Sequence, residues 1–236
     1  MVPTADPATV PGLPETGLHP ADLASLPAAT PPAPWVCQAR ALVWWQLARP
    51  PAHAWLRRPL PVAVGAFVHY LDSPVGSYHE VLAGAVLLAG GLPVAQIPFI
   101  AVDSLPSVHG GRVNWALPKT TAWFEGDPRT GSASARGRDW SVQIRTGRPG
   151  PAVPVRLRFG SLGPLGRYLT TVRAIGRPVI VRADTEGVSL GRWLGAGRHL
   201  GLLLEGRLQI DAPVPARPAP ARPTSARPAS PRRLDR

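Results

Sequence analysis

Residues 110–119 of the chain read Gly110-Gly111-Arg112-Val113-Asn114-Trp115-Ala116-Leu117-Pro118-Lys119. This stretch contains the only lysine among 26 basic side chains, since all the others are arginines. A lysine amine can lose its proton in a protein, whereas an arginine guanidinium cannot. A chain that carries arginine at every other basic position therefore favours a reactive amine at Lys119. The alternative is a single surface lysine that has persisted by chance.

Two more segments of the sequence are informative when they are considered together with residues 110–119. One reads Asp72-Ser73-Pro74-Val75-Gly76-Ser77-Tyr78-His79-Glu80, and the other is Ala39-Arg40-Ala41 on an early predicted strand. In order and rough spacing, the three segments resemble the acetoacetate decarboxylase family. That family carries an early arginine, a D-S-P-V-G-x-Y-x-E run and a G-R-x-x-W-G-x-P-K segment. The resemblance covers about residues 35–125, and the combination is more specific than any one segment.

The resemblance implies a site and a fold. It implies that Lys119 is the Schiff-base lysine, Glu80 an acid or base in the pocket, and Arg40 a cation in the pocket. It also implies a homo-oligomer and antiparallel sheets in a barrel- or cone-like arrangement around a closed, mostly apolar cavity. One position departs from the pattern, because family members with acetoacetate decarboxylase activity carry a second lysine where this chain has Thr120. Members without that second lysine include enzymes proposed to run aldol and dehydration chemistry on keto acids.

Schiff-base chemistry needs a neutral amine. An ordinary lysine has a pKa of about 10.4 and is almost fully protonated at pH 7. Burial away from water disfavours the ammonium and shifts such groups by about 3 to 5 pKa units in extreme cases. A nearby carboxylate acts in the opposite direction, so we expect Glu80 to pair with Arg40 or to be partly protonated.

The sequence therefore predicts a carbon–carbon lyase that forms a Schiff base with a small keto acid. Decarboxylation of the acetoacetate decarboxylase kind is the leading hypothesis. If Arg40 instead grips the substrate carboxylate, that charge is stabilised, and aldol or dehydration chemistry with the carboxylate retained is expected. A third hypothesis is a non-catalytic module that binds a small ligand on the same fold. No cofactor and no metal are expected.

The fold class follows from short apolar runs separated by turn residues. Such runs recur from Pro34 to Asp211 and predict antiparallel strands in a sandwich or barrel-like fold. The pattern breaks only around residues 103–114, where a short helix is expected. No alternation of strands and helices and no internal repeat is evident. The prediction is a mainly β fold of the α+β kind.

The two ends of the chain differ in composition from the middle. Residues 1–33 carry proline every few positions and predict an extended, poorly ordered arm. Residues 212–236 carry proline at nearly every third position and predict a disordered tail rich in proline and arginine. The folded domain is therefore expected at residues 34–211. The chain shows no signal-peptide pattern and no apolar run long enough to span a membrane, so a cytoplasmic protein is expected.

The formal net charge is +12. The arginines are dispersed, and no run of five or more basic residues occurs, so a nucleic-acid or membrane partner is not expected. The charge is explained either by a compositional bias toward Arg, Ala, Pro and Gly or by a field that attracts small carboxylate substrates. A binder of nucleic acid or of an anionic surface, which rests on charge alone, is a further alternative, and a steep salt dependence of binding would support it. With Cys37 as the only cysteine, an internal disulfide and a cysteine-based zinc site are excluded. The G-x-S-x-G pattern at residues 187–191 is followed by His199, but no acid lies between Ser189 and that histidine, so the order of acid and then histidine that a serine hydrolase of this kind needs is missing.

Overall fold

The computed structural model describes residues 3–47, 59–89 and 91–215. The strands are β1 (Trp35–Leu47), β2 (Pro59–Asp72), β3 (Tyr78–Ala89), β4 (Leu92–Val102), β5 (Lys119–Thr121), β6 (Trp123–Asp127), β7 (Ser132–Arg136), β8 (Ser141–Thr146), β9 (Val153–Gly163), β10 (Gly166–Glu186) and β11 (Gly197–Ile210). The helices are α1 (Pro20–Ala24) and α2 (Leu105–Trp115), with short 3-10 helices at Pro14–Thr16, Pro128–Thr130 and Leu190–Arg192.

The strands form one large, mostly antiparallel sheet. Their order is β11-β1-β2-β3-β4-β9-β10-β8-β7-β6, and β5 pairs in parallel with β4. Strand β10 also pairs with β11, so the sheet partly closes into a ring. The predictions of a mainly β, barrel-like fold and of one short helix near residues 103–114 are therefore confirmed.

The sheet buries apolar side chains on both faces. One cluster, on one face of the sheet, includes Leu42, Phe67 and Val81. A second cluster on the opposite face includes Val68 and Trp115 and packs under α2. Successive side chains of a strand point to opposite faces, so neighbouring residues of β1, β2 and β3 contribute to different clusters.

Helix α2 has clear sequence signals at both ends. Its first turn is capped by Ser104, whose hydroxyl accepts a hydrogen bond from the backbone N–H of Ser107, and Pro106 occupies an early position where no N–H is needed. The helix ends at Ala116, which adopts a left-handed conformation with φ of 51°. This turn directs the chain back toward the sheet, where β5 begins at Lys119.

The N-terminal arm differs from the poorly ordered segment that the sequence predicted. It is largely extended, but its backbone is hydrogen-bonded to the domain. The amide of Ala5 donates to the carbonyl of Val113 and the amide of Leu13 to that of Pro98, both at 3.0 Å. The side chain of Leu13 is buried in the same apolar cluster as Leu42 and Phe67. The described folded unit therefore begins before residue 34.

Arg112 links the N-terminal arm to β5, the strand that begins at Lys119. Its guanidinium donates to the carbonyls of Pro7 at 2.7 Å, Thr16 at 2.8 Å and Lys119 at 2.6 Å. Burial lowers the pKa of Arg112 to about 10, so the side chain remains charged at neutral pH. Three carbonyls from separate parts of the chain are thus joined by one cation.

The C-terminal tail that the sequence predicted lies mostly outside the described residues. Residues 212–215 are described, and Val214 forms an isolated bridge with Arg167 of β10. Residues 216–236 are not described. Within the described ranges, neither helix has the length and apolar character needed to cross a membrane.

Candidate active site

The single lysine is buried against a carboxylate. Lys119 is 3% exposed and Glu80, on β3, is 2% exposed. The Nζ of Lys119 lies 2.8 Å from the Oε2 of Glu80 and donates a second hydrogen bond, at 2.9 Å, to the Oγ of Ser107. Two of the three site residues named from the sequence are therefore in direct contact, in a place that water hardly reaches.

Helix α2 provides the space for this lysine. Ser107 and Gly111 are four residues apart, so they share one face of the helix. A Cβ at Gly111 would lie 2.5 Å from the Cδ of Lys119, so the lysine side chain occupies the volume that a side chain at position 111 would take. The preceding Gly110 makes room for the Trp35 ring in the same way. The Gly-Gly pair thus lets the helix pack closely on both the lysine and the sheet.

Two tyrosines complete the polar cluster. Tyr70 and Tyr78 are directly opposite each other on β2 and β3, with stacked rings whose centroids are 4.4 Å apart. The hydroxyl of Tyr70 donates to the Oε1 of Glu80 at 3.2 Å. The Nζ of Lys119 lies 5.1 Å from the centroid of the Tyr78 ring, within the range of a cation–π contact. Both carboxylate oxygens of Glu80 therefore have a partner.

Burial keeps the hydroxyl groups of Tyr70 and Tyr78 and the thiol of Cys37 protonated at neutral pH. Burial, followed by the charge of Glu80, raises the pKa values of Tyr70 and Tyr78 well above the usual range. Burial also raises the pKa of the Cys37 thiol to about 12, which removes it as a nucleophile near pH 7. The hydroxyl of Tyr70 is thus a lasting hydrogen-bond donor to Glu80.

Arg40 is not part of this cluster. In the register of the sheet, Arg40 is opposite His69 and His69 is opposite His79, whereas Glu80 is the next residue and points to the other face. The Nε of Arg40 lies 3.2 Å from the Oε1 of Glu205, where both side chains are partly exposed. Of the two alternatives expected for Glu80, pairing with Arg40 is wrong, because Glu80 pairs with Lys119 instead, and partial protonation stays a prediction.

Two clefts lie near these elements, and neither is lined by Lys119 or Glu80. A small one of about 20 Å³ is lined by His69, His79 and Phe124, among others. A larger one of about 560 Å³ is lined mainly by apolar residues, including Leu117 and Pro118. These two residues directly precede Lys119 in the chain.

In the described part of the chain, no three His, Cys, Asp or Glu side chains are arranged to hold a metal ion.

Solved structures resemble this arrangement of strands and helices. One is an acetoacetate decarboxylase-like enzyme from Sphingomonas wittichii RW1, with a TM-score of 0.53 and 15% identity over 78% of this chain and 93% of that chain. Another is acetoacetate decarboxylase from Legionella pneumophila, with a TM-score of 0.51 and 14% identity over 80% and 90%. The chain has an acetoacetate decarboxylase-like fold. A third structure with this fold, the enduracididine biosynthesis enzyme MppR complexed with pyruvate, has a TM-score of 0.50 and 14% identity over 85% and 94%.

Sequence comparison alone does not identify the acetoacetate decarboxylase-like fold. No family model and no curated protein matches the chain. At 14 to 15% identity, the structural similarity shows the fold and leaves the activity to be argued from the site.

Thr120 occupies the position where decarboxylases that the sequence resembles carry their second lysine. It is 5% exposed, and its hydroxyl donates to the carbonyl of Gly17 at 3.3 Å. Because it follows Lys119 on a strand, its side chain points to the opposite side. In this chain the position serves the contact with the N-terminal arm.

Ser107 and Tyr70 are site residues that the sequence did not reveal. Tyr78 lies inside the quoted segment that ends at Glu80, but Tyr70 is one strand earlier, and only the register brings it to the carboxylate. A usable signal for Ser107 is its spacing of four from Gly111 on a predicted helix, combined with the Gly-Gly pair. That signal becomes readable once α2 is known to pack on Lys119.

Proposed function

We propose that the protein is a Schiff-base-forming carbon–carbon lyase that decarboxylates a small β-keto acid. The observation that carries this proposal is the contact of 2.8 Å between Lys119 and Glu80 at 3% and 2% exposure. Burying two charges is expensive, and a fold gains more from apolar residues of similar size at such a place. Keeping the only lysine of the chain there, next to a carboxylate, supports a chemical use of the amine.

Glu80 is positioned to take the proton that Lys119 must lose. Transfer from Nζ to Oε2 along the hydrogen bond gives a neutral amine and a neutral carboxyl group, which removes two buried charges. The amine then attacks the substrate ketone. The carboxyl group of Glu80 returns its proton to the leaving hydroxyl, water departs, and a protonated imine forms on Lys119.

The surroundings favour loss of CO2 from this imine. The carbon–carbon bond next to the substrate carboxylate breaks, its electron pair moves into the imine, and an enamine results. Glu80, reprotonated from water, protonates the enamine carbon, and hydrolysis releases the ketone. Arg40 lies on the other face of the sheet and is paired with Glu205, so it does not hold the substrate carboxylate at this pair. A substrate carboxylate that Arg40 does not hold favours decarboxylation over aldol or dehydration chemistry, in which the carboxylate is retained.

Substrate must reach the amine through residues that now cover it. The larger cleft is bounded by Leu117 and Pro118. On the other side, a Cβ at Gly12 would lie 2.4 Å from the Cβ of Pro118, so the N-terminal arm packs directly over this segment. Movement of residues 116–118 or of the arm would join the cleft to Lys119.

A second candidate is the non-catalytic binding module. It is favoured by the same closure, because a fully paired and covered Lys119 also suits a structural ion pair. In that case small ligands would bind in the 560 Å³ cleft without forming a covalent bond.

Release of CO2 separates these functions. Acetoacetate and related β-keto acids are incubated with the wild type and with Lys119→Arg, and CO2 and ketone are followed by carbon-13 NMR. Arginine keeps the positive charge opposite Glu80 but cannot provide a neutral amine, so it is the matched control. The proposal predicts CO2 from the wild type only. Aldol products without CO2 would support the alternative lyase chemistry, and equal background rates in both proteins would support the binding module.

A further inference from the structure

Three arginines form a row across three neighbouring strands. Arg156 on β9 is directly opposite Arg173 on β10, and Arg173 is directly opposite Arg207 on β11. All three side chains are exposed and share one face of the sheet. Neighbouring strands are about 4.8 Å apart, so the row is about 10 Å long.

The next row on this face extends the basic surface. It consists of Arg158, Thr171 and Gln209, which are again directly opposite one another on the same three strands. These side chains add one more cation and two hydrogen-bonding groups. Neither row contains an aromatic or a large apolar side chain. We call Arg156, Arg158, Arg173 and Arg207, with Thr171 and Gln209, the arginine face.

The arginine face lacks compensating charge from within the described chain. Like charges directly opposite each other on paired strands destabilise a sheet. None of its four arginines forms an ion pair with a described residue. The carboxylate oxygens of nearby Glu205 already bind Arg40 and Arg129. Two more carboxylates lie on this face. Asp211 accepts a hydrogen bond from Gln209 at 2.8 Å, and Asp72 is opposite Gln38, which separates it from Arg207 by one strand.

Protection of a sheet edge does not account for the row. Residues 153–159 of β9 pair only with β10, so a charge at Arg156 could keep foreign strands away. Arg173 and Arg207, however, are paired on both sides, with Arg207 also opposite Gln38 of β1. A charge in the interior of a sheet protects no edge.

We propose that the arginine face binds the phosphate backbone of nucleic acid without reading its bases. Guanidinium groups fit phosphate oxygens in a bidentate manner, and phosphates in a row would relieve the repulsion among Arg156, Arg173 and Arg207. With no aromatic side chain in the two rows, bases have nothing to stack on, so binding is independent of sequence. The absence of apolar side chains there argues against a lipid surface. The net charge of +12 strengthens the attraction at long range.

This inference reverses an expectation drawn from the linear sequence. The lack of a run of basic residues in the sequence argued against a nucleic-acid partner. That argument is valid for helices and unstructured segments, in which neighbouring charges are also close in sequence. In a sheet, residues as distant as 156, 173 and 207 become neighbours through register. Dispersed arginines and a concentrated basic face are therefore compatible.

The chain offers a matched control in a second arginine row. Arg145, Arg182 and Arg198 are also exposed and directly opposite one another, on β8, β10 and β11. This control row has exposed Asp184 two residues from Arg182 on the same face, and it borders exposed apolar residues. Replacing either row with glutamine removes the same charge of three.

The test measures binding of the full-length protein to a short labelled DNA duplex of arbitrary sequence as a function of salt. The variant Arg156→Gln/Arg173→Gln/Arg207→Gln should flatten the slope of log K against log salt by about 2 to 3, because each lost phosphate contact accounts for about 0.9. It should also weaken binding at least about tenfold at low salt. The control variant Arg145→Gln/Arg182→Gln/Arg198→Gln should keep the wild-type slope. Thermal unfolding checks that both variants fold.

Three results would overturn the proposal. The first is no salt-dependent binding by the wild type. The second is an equal loss in both triple variants, which would mean that only net charge matters. The third is competition by polyglutamate as effective as that by unlabelled duplex at equal charge, which would point to an acidic protein partner.

Discussion

At the scale of single residues, the account depends on a buried pair of opposite charges. Each charge of Lys119 and Glu80 is held by more than its partner, since Ser107 accepts from the amine and Tyr70 donates to the carboxylate. These hydrogen bonds offset part of the desolvation cost. The pair is therefore stable when complete and costly when one member is removed.

Replacing one member should destabilise the protein more than replacing both. Glu80→Gln leaves the buried ammonium of Lys119 without its counter-charge, so we expect the free energy of unfolding to fall by about 3 to 5 kcal/mol. In the double variant Glu80→Leu/Lys119→Met, no charge is left unpaired, and the loss should be smaller. Urea denaturation of the three proteins measures this. A double variant less stable than Glu80→Gln would contradict the buried-pair account.

Gly111 should be irreplaceable because of the lysine. A methyl group in Gly111→Ala would lie 2.5 Å from the Cδ of Lys119 and must displace that side chain. We expect a loss of about 1 to 3 kcal/mol in stability, as for other overpacked sites, and reduced reactivity of the amine toward keto acids. Gly191→Ala is the control, because nothing lies within 4 Å of its added Cβ. Equal behaviour of both variants in denaturation and amine labelling would show that α2 does not constrain the lysine.

The sequence was informative about some of these residues and silent about others. The bias of arginine over lysine and the resemblance around Glu80 were enough to name both residues, but not to predict that they pair with each other. They also suggested Arg40. Arg40 lies on the other face because it aligns, through His69 of β2, with His79 of β3 and not with Glu80. Such alignment depends on register, including a shift where Gln38 and Ala39 of β1 pair with Asp72 and Tyr70 of β2, and local patterns do not encode it.

At the scale of elements, the N-terminal arm is an integral part of the domain. Arg112 ties it to Lys119, and Glu15 ties it to the loop after β10. Composition predicted the opposite, because a proline-rich segment has few internal hydrogen bonds. Its contacts are carbonyls bound by side chains about 100 or more residues away, and no local pattern reveals such partners.

The attachment of the arm through Glu15 should weaken in acid. Burial raises the pKa of this carboxyl, but hydrogen bonds from Ser189 and Leu190 outweigh burial and hold the pKa below its usual 4.5. The stabilisation is thus present above the unfolded pKa and is lost as pH falls through the lower folded value. Between pH 7 and about pH 3, the urea midpoint of the wild type should fall more than that of Glu15→Gln. Parallel curves would mean that Glu15 is not linked to folding.

The clamp formed by Arg112 should control local opening of the arm. Arg112→Met removes donors to three carbonyls, so the arm loses its link to β5. Hydrogen exchange should become faster at the amides of Ala5 and Leu13, which bond to the domain, while amides of β2 paired with β3 keep their protection. Uniform acceleration across β2 and β3 would indicate global destabilisation instead of release of the arm.

At the scale of the whole molecule, one sheet face exposes apolar side chains. Trp45, Leu200 and Ile180 are directly opposite one another on β1, β11 and β10, and they are 45%, 70% and 39% exposed. Contiguous apolar surface of this kind marks an interaction site. We propose that this row lies in the interface of a homo-oligomer.

A charge in that row should separate the subunits. Leu200→Glu places a carboxylate in the proposed interface, so light scattering should give a smaller mass than for the wild type. Val188→Glu is the control, since Val188 is 85% exposed in the loop after β10. A wild-type mass equal to one chain would contradict the oligomer.

The presence of many antiparallel strands was easier to predict from the sequence than the closure of the sheet into a ring. Alternating apolar runs are enough to predict many antiparallel strands, because burial on one face dictates the period of two. The ring depends on pairing of β10 with β11 and on a short parallel contact between β4 and β9 at Val94 and Ala95. These pairings are set by twist and by long-range packing, which strand patterns do not contain.

The central claim is that Lys119 reacts as an amine. The most direct test is to incubate the protein with acetoacetate or pyruvate, reduce with borohydride and measure the intact mass, with Lys119→Arg as the control. Because Lys119 is the only lysine of the chain, peptide mapping distinguishes its adduct from one on the terminal amine. The account predicts a single adduct on Lys119 that is absent from the variant. No adduct with any of several keto acids, in protein that remains folded, would contradict it.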